Sequence, residues 1–251
     1  MNVEMKLLKW RVSFGSPKYF WYFLYKKYNQ WVWSNINRNM QHKKILIISA
    51  MAEEMLPLTK YLSYEKILNA GDIVEHGNFV FAVSSIGKVS AAMTLTKVLE
   101  QYTIDTIINI GLAGSLSPHL EFGDVVVVEH TVEHDGLIEG DDEAQKRLYP
   151  LFDLLTIEHP ELKSGVLVTG DQFVASWSTR EILQAKGGQL VDMEGAALAK
   201  VAHHYQKPLI VLKVISDNAD EHAGDNFTTN LHAGERVVRH LPFILDFVVN
   251  R

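Results

Sequence analysis

From Lys44 onward the apolar residues come in short unbroken runs, separated by polar, glycine-containing stretches. Ile45-Leu46-Ile47-Ile48 is the first, and similar runs follow at Phe79–Val83, Thr106–Ile110, Val125–Val128, Val166–Val168 and Leu209–Val214. Continuous β-branched runs of this length predict strands buried on both faces. A different rhythm lies between them. Val89, Ala92, Met93, Val98, Leu99 and Tyr102 recur at three- and four-residue spacing, which predicts a helix with that face turned inward. Leu198, Val201, Ala202 and Tyr205 repeat the rhythm after Glu194, and a helix over Thr228–Val248 is expected to close the chain. Strands alternating with helices predict an α/β fold: a single domain with a mixed, largely parallel central sheet flanked by helices.

The first forty-three residues break the pattern. They hold four of the five tryptophans (Trp10, Trp21, Trp31, Trp33) and the run Tyr19-Phe20-Trp21-Tyr22-Phe23-Leu24-Tyr25. That run falls well short of the about 20 apolar residues a membrane span needs, and no signal-peptide pattern is evident. Two readings fit: an aromatic, basic segment lying in a membrane interface, or sequence upstream of a true start at Met40. Either way, residues 1–43 are set apart as an extension, and 44–251 as the folded domain.

Charge sharpens this division. Residues 1–43 carry eight basic residues and one acid, a charge of +7, so the other 208 residues carry −13 of the total −6. An acidic body excludes nucleic acid as the main partner, because phosphate contacts need clustered Lys and Arg. The chain has no cysteine, which excludes disulfide frameworks, thiolate metal sites and cysteine nucleophiles.

In parallel sheets, chemistry collects beyond the carboxyl ends of the strands. Those ends deliver Ala50-Met51-Ala52-Glu53-Glu54, Ser84-Ser85-Ile86-Gly87-Lys88, Gly111-Leu112-Ala113-Gly114, Gly170-Asp171-Gln172-Phe173, Asp192-Met193-Glu194 and Ser216-Asp217. Taken singly, each acid has an ordinary explanation. Glu54 reads as a first-turn helix acid, Asp217 as a turn acid, Glu194 as a helix cap and Phe173 as core. Taken together, with no arginine beside them, they read as a site.

In order and spacing these segments, with Phe122-Gly123-Asp124-Val125-Val126 and Gly195-Ala196-Ala197, resemble the 5′-methylthioadenosine/S-adenosylhomocysteine nucleosidases of the nucleoside phosphorylase superfamily. The resemblance implies a nucleoside phosphorylase-like fold and a cytoplasmic homodimer that cleaves adenine from 5′-modified adenosines with water, using no cofactor and no metal. It assigns Asp217 to protonation of the leaving adenine and Glu54 to activation of the water. Glu194 is implied to grip the ribose hydroxyls above Met193, and Phe173 to stack on adenine, with backbone groups around Val174 reading its edge. Phe227 is implied to close the 5′ pocket, Ile86, Gly114 and Ser216 to complete the binding surface, and Lys213 to stand where the family has an arginine near the ribose.

Other chemistries fit less well. Gly111-x-Ala113-Gly114 is no dinucleotide fingerprint, since Pro118 blocks the helix that must follow. His134-Asp135 and Asp220-x-His222 lack a third metal ligand at ligand spacing. A phosphorylase of the same superfamily would need a basic anion site, whereas the first strand ends in Glu53 and Glu54. The acidic segment Leu137–Leu155 (Glu139, Asp141, Asp142, Glu143) and Leu112 depart from the family pattern. They leave the 5′ group open among methylthioadenosine, S-adenosylhomocysteine, 5′-deoxyadenosine and futalosine. From another class, a non-catalytic nucleoside-binding protein would keep the fold but has no need of three carboxylates.

Overall fold

The structure is a computed structural model that describes residues 43–251 apart from 65 and 137–139; of residues 142, 144, 148, 232 and 233 it describes the backbone alone. The aromatic extension therefore lies outside the described residues, apart from Lys43. Among the described residues no helix is long and apolar enough to cross a membrane. Residues His42–Leu241 form one compact unit, and Pro242–Arg251 belong to a second.

Nine strands make one mixed sheet among the described residues. They are β1 (Ile45–Ser49), β2 (Ile73–His76), β3 (Phe79–Val83), β4 (Thr106–Ser115), β5 (Val125–Glu133), β6 (Phe152–Asp153), β7 (Lys163–Thr169), β8 (Leu190–Asp192) and β9 (Leu209–Asp217). Strand β1 lies parallel between β3 and β4, with Ile45 opposite Phe79 on one side and Thr106 on the other. All five of its residues are buried, as an apolar run between two neighbours must be. Parallel pairing also joins β4 to β9, β5 to β7 and β7 to β8. Antiparallel pairing joins β2 to β3, β4 to β8, β5 to β6 and β5 to β9.

These pairings close a ring: β4 to β9, β9 to β5, β5 to β7, β7 to β8 and β8 back to β4. Strand β4 can serve both the ring and the open wing because it is ten residues long. Its first half pairs with β1, and its last two residues, Gly114 and Ser115, pair with β8. Ring closure leaves these five strands without the open hydrogen-bonding edges that an isolated sheet must protect.

The helices are α1 (Ala52–Tyr61), α2 (Lys88–Gln101), α3 (Asp142–Leu148), α4 (Trp177–Ala185), α5 (Gly195–His204), α6 (Ala223–Thr229), α7 (Glu235–Val238) and α8 (Leu241–Val249). Two expectations need correction. The helix over α2 exists, but its inward face is Ala91, Thr94, Leu95 and Val98. Val89 and Met93 are each 68% exposed. Apolar residues make up half of this helix, so spacing alone admits two faces, and packing against α5 chooses between them. The single closing helix over Thr228–Val248 is instead α6, a 3₁₀ turn at Leu231–Gly234, α7 and α8. Gly234 is a poor helix former, and Pro242 has no N–H to continue a ladder, so a new helix starts there.

Candidate active site

The ends of β1, β4, β8 and β9, with the loops after β3 and β7 and helix α6, surround a cavity of about 460 Å³. That is within the range of small-molecule sites. All ten predicted site residues line it: Glu54, Ile86, Gly114, Phe173, Val174, Met193, Glu194, Ser216, Asp217 and Phe227. No arginine or lysine does.

Glu54 is the third residue of α1 and is 4% exposed. One carboxylate oxygen accepts the N–H groups of Ala50 (3.1 Å) and Met51 (3.0 Å), and the other accepts from Leu112 in β4 (2.8 Å). It therefore does reach back to its helix start, as a first-turn acid often does. The same side chain also ties that start to the central strand. Burial raises its pKa, against the pull of Lys213 and the three N–H groups.

Glu194 occupies the cap position of α5 but caps nothing. Its carboxylate crosses instead to the Gly87 N–H at 2.8 Å. Gly87 holds φ +99, and a side chain there would meet Asp171 Oδ1 at 3.0 Å; glycine is what lets this N–H face the cavity. Its neighbour Ser85 is also in left-handed backbone, at φ 79. Burial first, and then repulsion from Asp192, push the Glu194 pKa up to about 8.

The capping is done two residues earlier. Asp192 accepts from the Gly195 N–H (2.9 Å), from the Thr169 hydroxyl (2.6 Å) and from Lys213 Nζ (2.8 Å). Lys213, in the middle of β9, is 1% exposed. Burial works against its ammonium, but Asp192, Glu194 and Glu54 together hold its pKa above the ordinary lysine value. Sequence reasoning placed Lys213 near the ribose and missed its partner. The available signal was a lone lysine inside the apolar run Leu209–Ile215. Gly111 leaves room for the group, since a side chain there would meet Lys213 Nζ at 2.9 Å and Glu54 Oε1 at 3.1 Å.

Asp217 is aimed by a bulge. Ala113 pairs with Ile215 but Gly114 pairs with Asp217, so Ser216 is the extra residue in β9. Bulges re-aim side chains in this way beside functional sites. One Asp217 oxygen accepts from the Ser216 hydroxyl (2.7 Å) and the other from the Ala219 N–H (2.8 Å). The second is the turn bond that the sequence allows for an aspartate, here with Ala219 at φ 52. Burial raises the Asp217 pKa, those two bonds lower it, and Asp220 adds to the rise. Gly114 has no room for a side chain, which would meet Asp217 Oδ1 at 2.9 Å.

Phe173 is 45% exposed, so it is no core residue. Its ring meets that of Phe227 on α6 edge-on at 5.7 Å, a favourable aromatic geometry. The two residue pairs weighed for metal have other uses. Asp135 accepts from Lys88 Nζ (2.6 Å) and from the Asp171 N–H (2.8 Å), and Asp220 accepts the N–H of His222 (2.9 Å).

A family model described as the Phosphorylase superfamily matches residues 44–241, from the start of β1 to the start of α8. This chain belongs to the Phosphorylase superfamily. Within the superfamily it is 33% identical over 207 residues to the aminodeoxyfutalosine nucleosidase of Helicobacter pylori, covering 74% of this chain and 90% of that protein. It is 32% identical to the 5′-methylthioadenosine/S-adenosylhomocysteine nucleosidase of Baumannia cicadellinicola, covering 81% and 97%. The crystal structure of the 5′-methylthioadenosine/S-adenosylhomocysteine nucleosidase of Neisseria meningitidis, in complex with methylthio-immucillin-A, superposes with a TM-score of 0.72 at 27% identity. That likeness covers 83% of this chain and all of the other.

Proposed function

We propose that this protein hydrolyses the N-glycosidic bond of 5′-modified adenosines, releasing adenine. The observation that carries the reading is the convergence of Glu54, Glu194 and Asp217 with Phe173 on one cavity. Cleavage leaves negative charge on the purine and positive character on the sugar. Asp217, whose pKa burial raises, delivers a proton to N7 of the leaving base. Glu54 takes a proton from the attacking water, whose oxygen bonds to C1′ as the bond to the base breaks. Glu194 holds the ribose hydroxyls, and Met193 supports the sugar from below. Phe173 stacks on adenine while backbone groups at Val174 read its edge. Ile86 and Phe227 cover the sugar and its 5′ group. Ser216 steadies Asp217, and Gly114 gives it room.

Water is favoured over phosphate as the nucleophile. Among the described residues the lining offers four acids, Glu54, Asp192, Glu194 and Asp217, and no cation; the buried ammonium nearby is ion-paired to Asp192 and drawn also by Glu194 and Glu54. An anion would enter with nothing to hold it. Among 5′ groups, methylthio, homocysteinyl and futalosine-type substituents all remain candidate substrates, consistent with the names carried by the relatives. The active form is a homodimer, and the exposed Ile86, Val89 and Met93 offer apolar surface to a second copy. Residues 1–43 stand outside the catalytic domain.

The test is a panel of 5′-substituted adenosines, assayed for adenine release with and without phosphate. Free ribose products at a rate indifferent to phosphate are expected, with Glu54→Gln losing about 10²–10⁴-fold in kcat. Ribose-1-phosphate among the products would make the protein a phosphorylase, and absence of adenine release would make it a binding protein.

A further inference from the structure

His159, Glu161 and His240 lie apart from the cavity and line none of it. Each offers one ligand atom, and these atoms all lie within 4.8 Å of one another. We propose that this trio is a divalent transition-metal site that fastens the turn before β7 to the end of α7. The two sides come from distant parts of the chain, and each is already shaped for the task.

The first side is a tight turn. The Leu162 N–H donates to the His159 carbonyl at 3.0 Å, and Pro160 occupies the second position, where its fixed φ suits a turn. His159 and Glu161 are thus presented together by a short, stiff piece of backbone. The second side is His240, just past α7, whose N–H donates to the Val237 carbonyl at 3.0 Å. His240 is 8% exposed, and its ring nitrogens make no hydrogen bond among the described residues. Its ring faces that of His159 edge-on, with centroids 5.6 Å apart. The imidazole of His240 is thus left available to an ion beside a second imidazole and a carboxylate whose ligand atoms lie close to its own.

The donor set names the class of metal. Two imidazoles and one carboxylate suit Zn²⁺, Ni²⁺, Co²⁺ or Cu²⁺ over Mg²⁺ or Ca²⁺, which prefer all-oxygen shells. Metal–ligand bonds of about 2.0–2.2 Å require the trio to draw in slightly. Glu161 is exposed and free to rotate toward the centre, and water completes the shell. Binding also displaces a bond: the Glu161 N–H donates to His159 Nδ1 at 3.2 Å. An ion at Nδ1 replaces it, and an ion at Nε2 moves the ring proton to Nδ1.

The experiment uses tag-free, full-length protein stripped with chelator and titrated with Zn²⁺ by calorimetry, with melting followed in parallel. One ion per chain is expected, with a Tm that rises and saturates and with nucleosidase activity unchanged. His159→Ala and Glu161→Gln should each weaken binding by at least about tenfold, the lower end of what losing even an outer-shell partner costs. Glu161 is exposed and His159 only half-buried, so these variants keep the test clear of any folding defect in His240→Ala. Absence of one-to-one binding, or equal binding by wild type and the His159→Ala/Glu161→Gln double variant, would overturn the proposal. Mg²⁺ binding in place of Zn²⁺ would also overturn it.

Discussion

The two ends of the cavity hold their acids by different means. At the end assigned to the sugar in the proposed function, Glu54, Glu194 and Asp192 share the ammonium of Lys213. At the base end, Asp217 has a hydroxyl and a backbone N–H, and no cation acts on it. The difference sorts their chemistry. Three acids around one cation make a fixed polar floor whose charge is set by the group as a whole. At Asp217 burial is the largest influence and raises the pKa, while the two neutral donors pull it back.

The largest expected effect breaks the base end. Asp217→Asn keeps the shape and can still accept from Ala219, but it has no proton to give. A fall of about 10²–10⁴-fold in kcat is expected with little change in KM, since the lost interaction belongs to the transition state. Turnover near that of wild type would take Asp217 out of the mechanism.

Lys213→Met breaks the sugar end and should act on stability before chemistry. The pair with Asp192 is almost wholly buried, and removing one partner of such a pair costs about 3–5 kcal/mol because the other charge is stranded. Denaturant unfolding would measure this. Adding Asp192→Asn should recover part of the loss; a double variant no more stable than the single would mean that the pair is not what holds the floor.

The smallest effect sharpens the contrast through pH. Glu194 titrates near 8 when folded, against an ordinary 4.5. Between those values the folded protein keeps a proton that the unfolded chain has released. Its contribution therefore lowers stability as pH rises from about 4.5 toward 8 and is absent below 4.5. Glu194→Gln should flatten the fall of unfolding free energy across that window. An unchanged slope would assign the effect to other groups.

Much of this arrangement was legible from residue order. The strands β1, β3, β4, β5, β7 and β9 announce themselves because burial on both faces demands unbroken apolar runs. β2 and β6 did not, being short and only partly buried. All ten candidate residues converge because strand ends share one side of the sheet. Three features stayed hidden for physical reasons. The bulge at Ser216 depends on the register of a partner strand, which no local pattern encodes. The Asp192–Lys213 bond joins residues whose closeness is a property of the folded ring. The buried face of α2 was chosen by a neighbouring helix. Pro242, by contrast, was a visible stop signal inside the expected closing helix.

The ring of strands also sets when a working site can exist. Strand β4 is complete by Ser115, yet its long partner β9 begins only at Leu209. Parallel pairing across such a separation must overcome the entropy of closing a long loop before any contact rewards it, which makes folding slow. Until β9 docks, the ring is open, Lys213 has not reached Asp192, and Gly114 has no Asp217 against it. A chain emerging from the ribosome can assemble β1 and β3 early, but the candidate site stays incomplete until β9, ending at Asp217, has been made. Acquisition of activity is thus a late event in the life of each molecule, and it coincides with loss of the last open strand edge on the ring.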